Sequence, residues 1–309
     1  MTNTTRPIAS ADTLREDLEA LGYIASDNIA LTLYLAIRLQ KPILVEGPPG
    51  VGKTELAKAA SMLLQRELIR LQCYEGLDES KALYEWKYGK QLLYTQVLKE
   101  QLGDVLRGAQ GLSESVERLH QFGDIFYSAD FLEPRPLLSA LQSEQGVVLL
   151  VDEIDKADQE FEAFLLELLS DYQISIPEIG TVHARHTPLV LLTSNNQREL
   201  SDALKRRCLH LYIPYPDQVL EGRILASQVP SLPDKLREPL VSFVQALRQQ
   251  DLRKLPAISE TIDWARTLLL LNVAALDASW VEKTLNVLLK HQDDVDRIKE
   301  RIPALLKKR

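Results

Sequence analysis

One run of eight residues restricts this chain more than any other feature: Gly47-Pro48-Pro49-Gly50-Val51-Gly52-Lys53-Thr54. It satisfies G-x-x-x-x-G-K-[ST], which chance supplies in about one chain in a hundred of this length at average composition. The pattern is a phosphate-binding loop, and it demands a strand before it and a helix after it. Glycines let successive backbone N–H groups close around phosphate oxygens. The helix that starts there adds the positive end of its dipole. Lys53 supplies a mobile cation for the β- and γ-phosphates, and Thr54 offers a hydroxyl to Mg2+. The flanks meet the demand. Ile43-Leu44-Val45 is a short apolar run, and Leu56, Ala59, Ala60, Leu63 and Leu64 fall on one helical face. ATP with Mg2+ is therefore the expected ligand, and the binding run is carried on to Glu55.

Four more apolar runs read as strands: Leu68–Gln72, Val147–Val151, Leu189–Thr193 and Leu209–Ile213. Val147–Val151 is unbroken, as a parallel strand buried on both faces should be. Phe161, Phe164, Leu165, Leu168 and Leu169 mark a helix between two of these runs. Strands alternating with helices predict an α/β fold with a parallel five-stranded sheet flanked by helices. Ser10 to Gln40 reads as a helical lead-in, and Ile174 to His186 alternates around Gly180 as a hairpin does. The mixed stretch from Tyr74 to Ser143 reads as helices and loops beside the sheet. Past Pro214-Tyr215-Pro216-Asp217 helical spacing dominates, so the division expected is 1–216 for the nucleotide-binding unit and 217–309 for an all-helical unit.

The bulk properties remove several classes. With 309 residues, 45% hydrophobic and 26% charged, the chain has enough apolar material for one large unit and a smaller one. Its formal net charge of −8 argues against nucleic acid as the main partner. No apolar run approaches the length of a membrane span, and Met1 to Ser10 lacks the apolar core of a signal peptide. A cytoplasmic protein is the expectation. Cys73 and Cys208 stand far apart and read as reduced structural thiols. His183 and His186 have no companion ligands, so no metal site is expected there.

Three further features bear chemistry. Asp152-Glu153 caps the run Val147–Val151, and a carboxylate there faces the ligand crevice of an open sheet. Asp152 is assigned to Mg2+ and Glu153 to the water that attacks the γ-phosphate. Asn195 follows Leu189–Thr193 and could orient that water, or equally be a turn asparagine in Ser194-Asn195-Asn196. Lys205-Arg206-Arg207 could aim an arginine at a γ-phosphate; taken alone, a solvated basic turn is the better reading.

In this order the motifs resemble an AAA+ ATPase, and more narrowly the MoxR family of helix-2-insert type. The resemblance runs from about Gly22 into the C-terminal helices. It is carried by Gly47–Thr54, the segment Ile69-Arg70-Leu71-Gln72-Cys73-Tyr74-Glu75-Gly76, Arg135-Pro136-Leu137-Leu138, Val148–Lys156, Leu192–Asn196, and Arg206-Arg207-Cys208 with Tyr215-Pro216. It implies that Asp152 and Glu153 are the Walker B pair and Asn195 the first sensor. Arg206, with Arg207 as the alternative, is implied to be an arginine finger acting on a neighbouring subunit. It places the helix-2 insert and the hairpin within 73–188, both facing a central pore, and makes 217–309 a lid. It also implies a homo-oligomer, a hexamer, acting on a protein client with a von Willebrand A-type adaptor and a metalloenzyme. In one place the chain departs from the family: Thr261, in Ser259-Glu260-Thr261, stands where a second-sensor arginine is usual, and Arg266 does not align with it.

The leading expectation is thus a ring-forming, chaperone-like ATPase that remodels or activates a protein, as in metalloenzyme maturation by cofactor insertion. The alternatives are a P-loop kinase acting on a small molecule and a nucleic-acid motor. The first is disfavoured by the helical C-terminal unit, the second by the charge.

Overall fold

The computed structural model describes residues 9–106, 129–177 and 179–307. Its centre is a parallel sheet of β1 (Ile43–Glu46), β2 (Glu67–Gln72), β5 (Val147–Asp152), β8 (Leu189–Ser194) and β9 (Leu209–Tyr212), in the order β2-β5-β8-β1-β9. The fold expected from the sequence is the one observed. Each strand's alternation sorts its side chains into two layers. Val147, Leu149 and Val151 join one apolar cluster, with the helices Pro136–Gln142 and Gln159–Asp171. Val148 and Leu150 join the other, with the helices Ala11–Ala20, Asp27–Leu39 and Lys53–Leu64. Both faces being covered is why the central strands read as continuous apolar runs.

Two small antiparallel ladders lie outside the main sheet. β6 (Gln173–Ile176) pairs with β7 (Gly180–His183), forming the expected hairpin, with Gly180 at φ +95°. The other, β3 (Tyr84–Trp86) against β4 (Leu132–Pro134), corrects the reading of Tyr74–Ser143 as helices and loops alone. Strands of three residues are too short to leave a period in the sequence. The long helix Tyr88–Leu106 follows β3. Much of the expected insert, 107–128, lies outside the described residues.

The C-terminal region is helical, from Gln218–Gln228 to Ile302–Lys307. It has its own apolar cluster, drawn from Leu225 to Leu305, in which Phe243 and Trp264 meet at 5.5 Å between ring centroids. One ion pair is sealed beside it. Arg248 donates from Nη1 and Nη2 to the two Glu221 carboxylate oxygens, each at 2.7 Å, and from Nε to the Pro256 carbonyl at 2.8 Å. Thr261 donates to Glu221 Oε1 at 2.8 Å. Glu221 and Thr261 are both 0% exposed. Removing one partner leaves an uncompensated buried charge, which costs about 3–5 kcal/mol. Arg248→Met should therefore lower the thermal midpoint sharply. The double variant Glu221→Gln/Arg248→Met should recover part of that loss in calorimetry.

Candidate functional site

The loop after β1 turns sharply into the helix Lys53–Leu64. Two positions in it exclude any side chain. At Gly47, φ +149°, a Cβ would lie 2.1 Å from the Ile213 carbonyl oxygen. At Gly50, φ +76°, it would lie 2.6 Å from Ser259 Oγ and 2.7 Å from Ala257 Cβ. The loop is thus wedged between the end of β9 and a C-terminal helix, Ile258–Leu270. Among the described residues, seven helices begin with a Ser or Asp side chain accepting a backbone N–H; the helix at Lys53 begins with Gly52 and has no side-chain cap. Its first-turn N–H groups and dipole point into the crevice, an arrangement that suits an anion.

Lys53 lies beneath this loop, 6% exposed. Its Nζ donates to the carbonyls of Gly47 at 2.6 Å and Pro48 at 2.8 Å, and to Asn195 Oδ1 at 2.8 Å. Burial brings its pKa down to about 8, partly opposed by Asp155, Asp152 and Glu153. Thr54 Oγ1 stands 3.3 Å from both oxygens of Asp152. A hydroxyl beside a carboxylate is a hard-oxygen donor set of the kind Mg2+ takes.

Asp152 ends β5, one strand away from β1 across β8. It is buried and held from two sides. Thr193 on β8 donates to Oδ1 at 2.5 Å, while Arg70 on β2 donates to Oδ2 from Nε at 3.0 Å and from Nη2 at 2.6 Å. Glu153 follows in the left-handed region, φ 57°, its N–H bonded to Thr193 Oγ1 at 2.9 Å. That backbone aims the Glu153 carboxylate along the sheet edge. Oε1 accepts from Asn195 Nδ2 at 3.2 Å, and Oε2 accepts from Gln72 Nε2 at 2.8 Å and Lys156 Nζ at 2.5 Å. Asn195 is fixed in turn by Asp155, whose Oδ2 accepts the N–H groups of Asn195 at 3.2 Å and Gln197 at 3.0 Å. Cys73 is buried behind these carboxylates. Burial, with the field of Asp152, Asp155 and Glu153, pushes its thiol up to about 12, as befits an inert thiol.

The structure therefore brings Lys53, Thr54, Asp152, Glu153 and Asn195 into one cleft of about 450 Å3. Glu55 lines the same cleft and pairs with Lys58 at 3.0 Å. Arg206 and Arg207 are not among its lining residues. Arg206 is exposed and, among the described residues, has no hydrogen bond or ion pair. Arg207 is tied down, donating to Ser170 Oγ at 2.5 Å and to the Ala203 carbonyl at 2.9 Å.

Sequence reasoning missed Thr193, Arg70, Gln72 and Asp155, and it missed the apolar wall of the cleft. Tyr23, Ile24, Ile29, Ile213, Ile224 and Ile258 build that wall from segments far apart in the chain. The C-terminal helices add only uncharged side chains to it. Thr261 does not reach the cleft, being bound to Glu221, and Arg266 is exposed beside Asp263 at 3.9 Å.

A five-stranded parallel sheet carrying a phosphate-binding loop, an acidic strand end and a helical C-terminal region defines the class of AAA+ ATPases. Residues 42–208 match the AAA domain of the dynein-related subfamily, and the chain belongs to that family. It is 27% identical over 238 residues to an uncharacterized protein of Staphylococcus aureus strain bovine RF122 / ET3-1, covering 75% of this chain and 76% of that one. A counterpart in strain NCTC 8325 / PS 47 is 26% identical over the same length. Among solved structures, a Thermotoga maritima RuvB mutant superposes with a TM-score of 0.50 at 17% identity, over 93% of this chain and 74% of that one. At that identity the likeness shows the fold. Among the described residues, no helix is long and apolar enough to cross a membrane.

Proposed function

We propose that this protein is a ring-forming ATPase that couples ATP hydrolysis to the remodelling or activation of a protein partner. The observation that carries the hydrolytic half is the convergence of Lys53, Thr54, Asp152, Glu153 and Asn195 on one cleft. The apolar wall would take the base, and the loop Gly47–Thr54 with Glu55 would hold the phosphates. Thr54 and Asp152 would hold Mg2+, which when bound neutralises phosphate charge. Glu153 is the general base toward water, and Asn195 orients it by its amide. Residues 217–309 act as the lid over this site.

Arg206 supports the oligomeric half. An exposed arginine with no partner among the described residues, on the helix just before β9, is suited to a neighbour's site. Arg207, spent on Ser170 and Ala203, is not. Arg206→Ala should lower turnover about a thousandfold or more while leaving ATP binding intact. Arg207→Ala should have a much smaller effect. Mixing Arg206→Ala with Glu153→Gln subunits should restore activity, because each supplies what the other's interface lacks. Phosphate release measured on such mixtures tests the reading; a dilute monomer as active as the assembly would end it.

The remodelling half rests on the resemblance to the MoxR family, which supports a hexamer working with a von Willebrand A-type adaptor on a metalloenzyme. Affinity capture on Glu153→Gln with ATP, with the captured proteins identified, tests that half separately.

A further inference from the structure

Arg70 has no part in the chemistry above, yet it makes the strongest contact to the carboxylate assigned to the cation. Asp152 has two oxygens. Thr193 donates to Oδ1, and both Nε and Nη2 of Arg70 donate to Oδ2. Among the described residues no other cation is paired with Asp152. Lys53 directs its donors to Gly47, Pro48 and Asn195, and Lys156 pairs with Glu153. Arg70 also spans to the second carboxylate. Its Nη2 donates to Gln72 Oε1 at 2.5 Å, and Gln72 Nε2 donates to Glu153 Oε2 at 2.8 Å. Arg70 and Gln72, two apart on one strand, share a sheet face, and Gln72 is level with Asp152 in the β2–β5 register.

The two ends of the Arg70–Asp152 pair differ in freedom. The Asp152 side chain is 4% exposed and pinned, whereas the Arg70 side chain is 53% exposed on the edge strand β2. The guanidinium can swing into solvent; the carboxylate cannot follow. A cation that needs Asp152 therefore competes with a guanidinium already on Oδ2.

We propose that Arg70 is a positioning residue: an internal counter-ion that holds Asp152 and Glu153 through one relay and yields Oδ2 when a divalent cation binds. This rests on the reading of Asp152 as the cation's carboxylate. Arrival of the metal then releases Arg70 from Asp152 and with it the Gln72 end of the relay, so that Glu153 loses one of its three side-chain partners, keeping Asn195 and Lys156, in the same event that completes the metal site. Until then, the relay keeps Glu153 engaged.

The test is Mn2+ binding to the ADP-saturated protein, read from the electron paramagnetic resonance signal of free Mn2+. Arg70→Gln removes the competing charge and should tighten Mn2+ binding about tenfold, because the two cations no longer contend for one oxygen. Arg70→Lys keeps the charge but loses the two-pronged contact, and should tighten it severalfold. Metal-free Arg70→Gln should melt below wild type, and Mn2+ should raise its midpoint more than it raises that of wild type. Unchanged or weaker Mn2+ binding in Arg70→Gln overturns the proposal; if that variant does not fold, the same result in Arg70→Lys does so. Asp152→Asn serves as the control for the underlying reading. If it binds Mn2+ as tightly as wild type, the metal assignment itself fails; if it binds weakly while Arg70→Gln is unaltered, only the counter-ion role fails.

Discussion

Glutamine in place of Glu153 is expected to stop ATP turnover while leaving ATP binding within about twofold of wild type. The substitution is nearly isosteric. Gln72, Lys156 and Asn195 surround the present carboxylate, and an amide oxygen can still accept from one of them. What is lost is the negative charge that takes a proton from water. General-base catalysis is worth about 10²–10⁴ in rate, so the fall should be at least a hundredfold. Phosphate release gives the rate, and titration with a fluorescent ATP analogue gives the affinity. Turnover above a tenth of wild type would move the role of base to another residue.

Alanine in place of Lys53 should act one step earlier and abolish binding. The ammonium is the only cation beneath the loop among the described residues, and it already bridges two loop carbonyls and Asn195. Two charge-assisted hydrogen bonds to phosphate oxygens at about 1.5–3 kcal/mol each amount to a loss of at least a hundredfold in ATP affinity. ADP, without a γ-phosphate, should lose less. Isothermal titration with each nucleotide checks both, with circular dichroism to show that the loop's loss of its central donor leaves the fold intact. Equal losses for ATP and ADP would show that Lys53 serves the loop rather than the γ-phosphate.

The elements legible in the sequence are those whose burial is uniform. Val147–Val151 and Leu189–Thr193 announce themselves because both faces are covered, and the helix after the phosphate loop because its buried residues recur at the helical period. β3 and β4 left no trace, being three residues each and paired across a long stretch of chain. The site split along the same line. Lys53, Thr54, Asp152 and Glu153 were legible because contiguous motifs carry them. Thr193, Asp155 and Arg70 were not, since each acts through a neighbour brought close by strand order alone: a threonine ending an apolar run reads as strand, and an arginine in Leu68–Gln72 reads as a solvated edge residue. Asn195 was ambiguous in the sequence; the structure puts its side chain between Lys53 and Glu153, which a simple turn asparagine would not require. Thr261, in the place of an expected arginine, is accounted for by packing. It sits inside the Glu221–Arg248 pair, where a second guanidinium would find Glu221 already taken.

The wall that the C-terminal helices present to the cleft is made of Leu220, Ile224, Gln228, Ile258, Ser259 and Ile262. Greasy and neutral, such a surface can grip a base, but it is blind to the length of the phosphate tail. One part of the chain would then register only that a nucleotide has arrived. Telling spent fuel from fresh would fall to Lys53, Asn195 and Glu153 at the opposite side of the cleft, and to whatever arginine an adjoining copy extends. In a ring assembled from this chain, the news that fuel has been burned would travel around the circle before it travelled up into the cap.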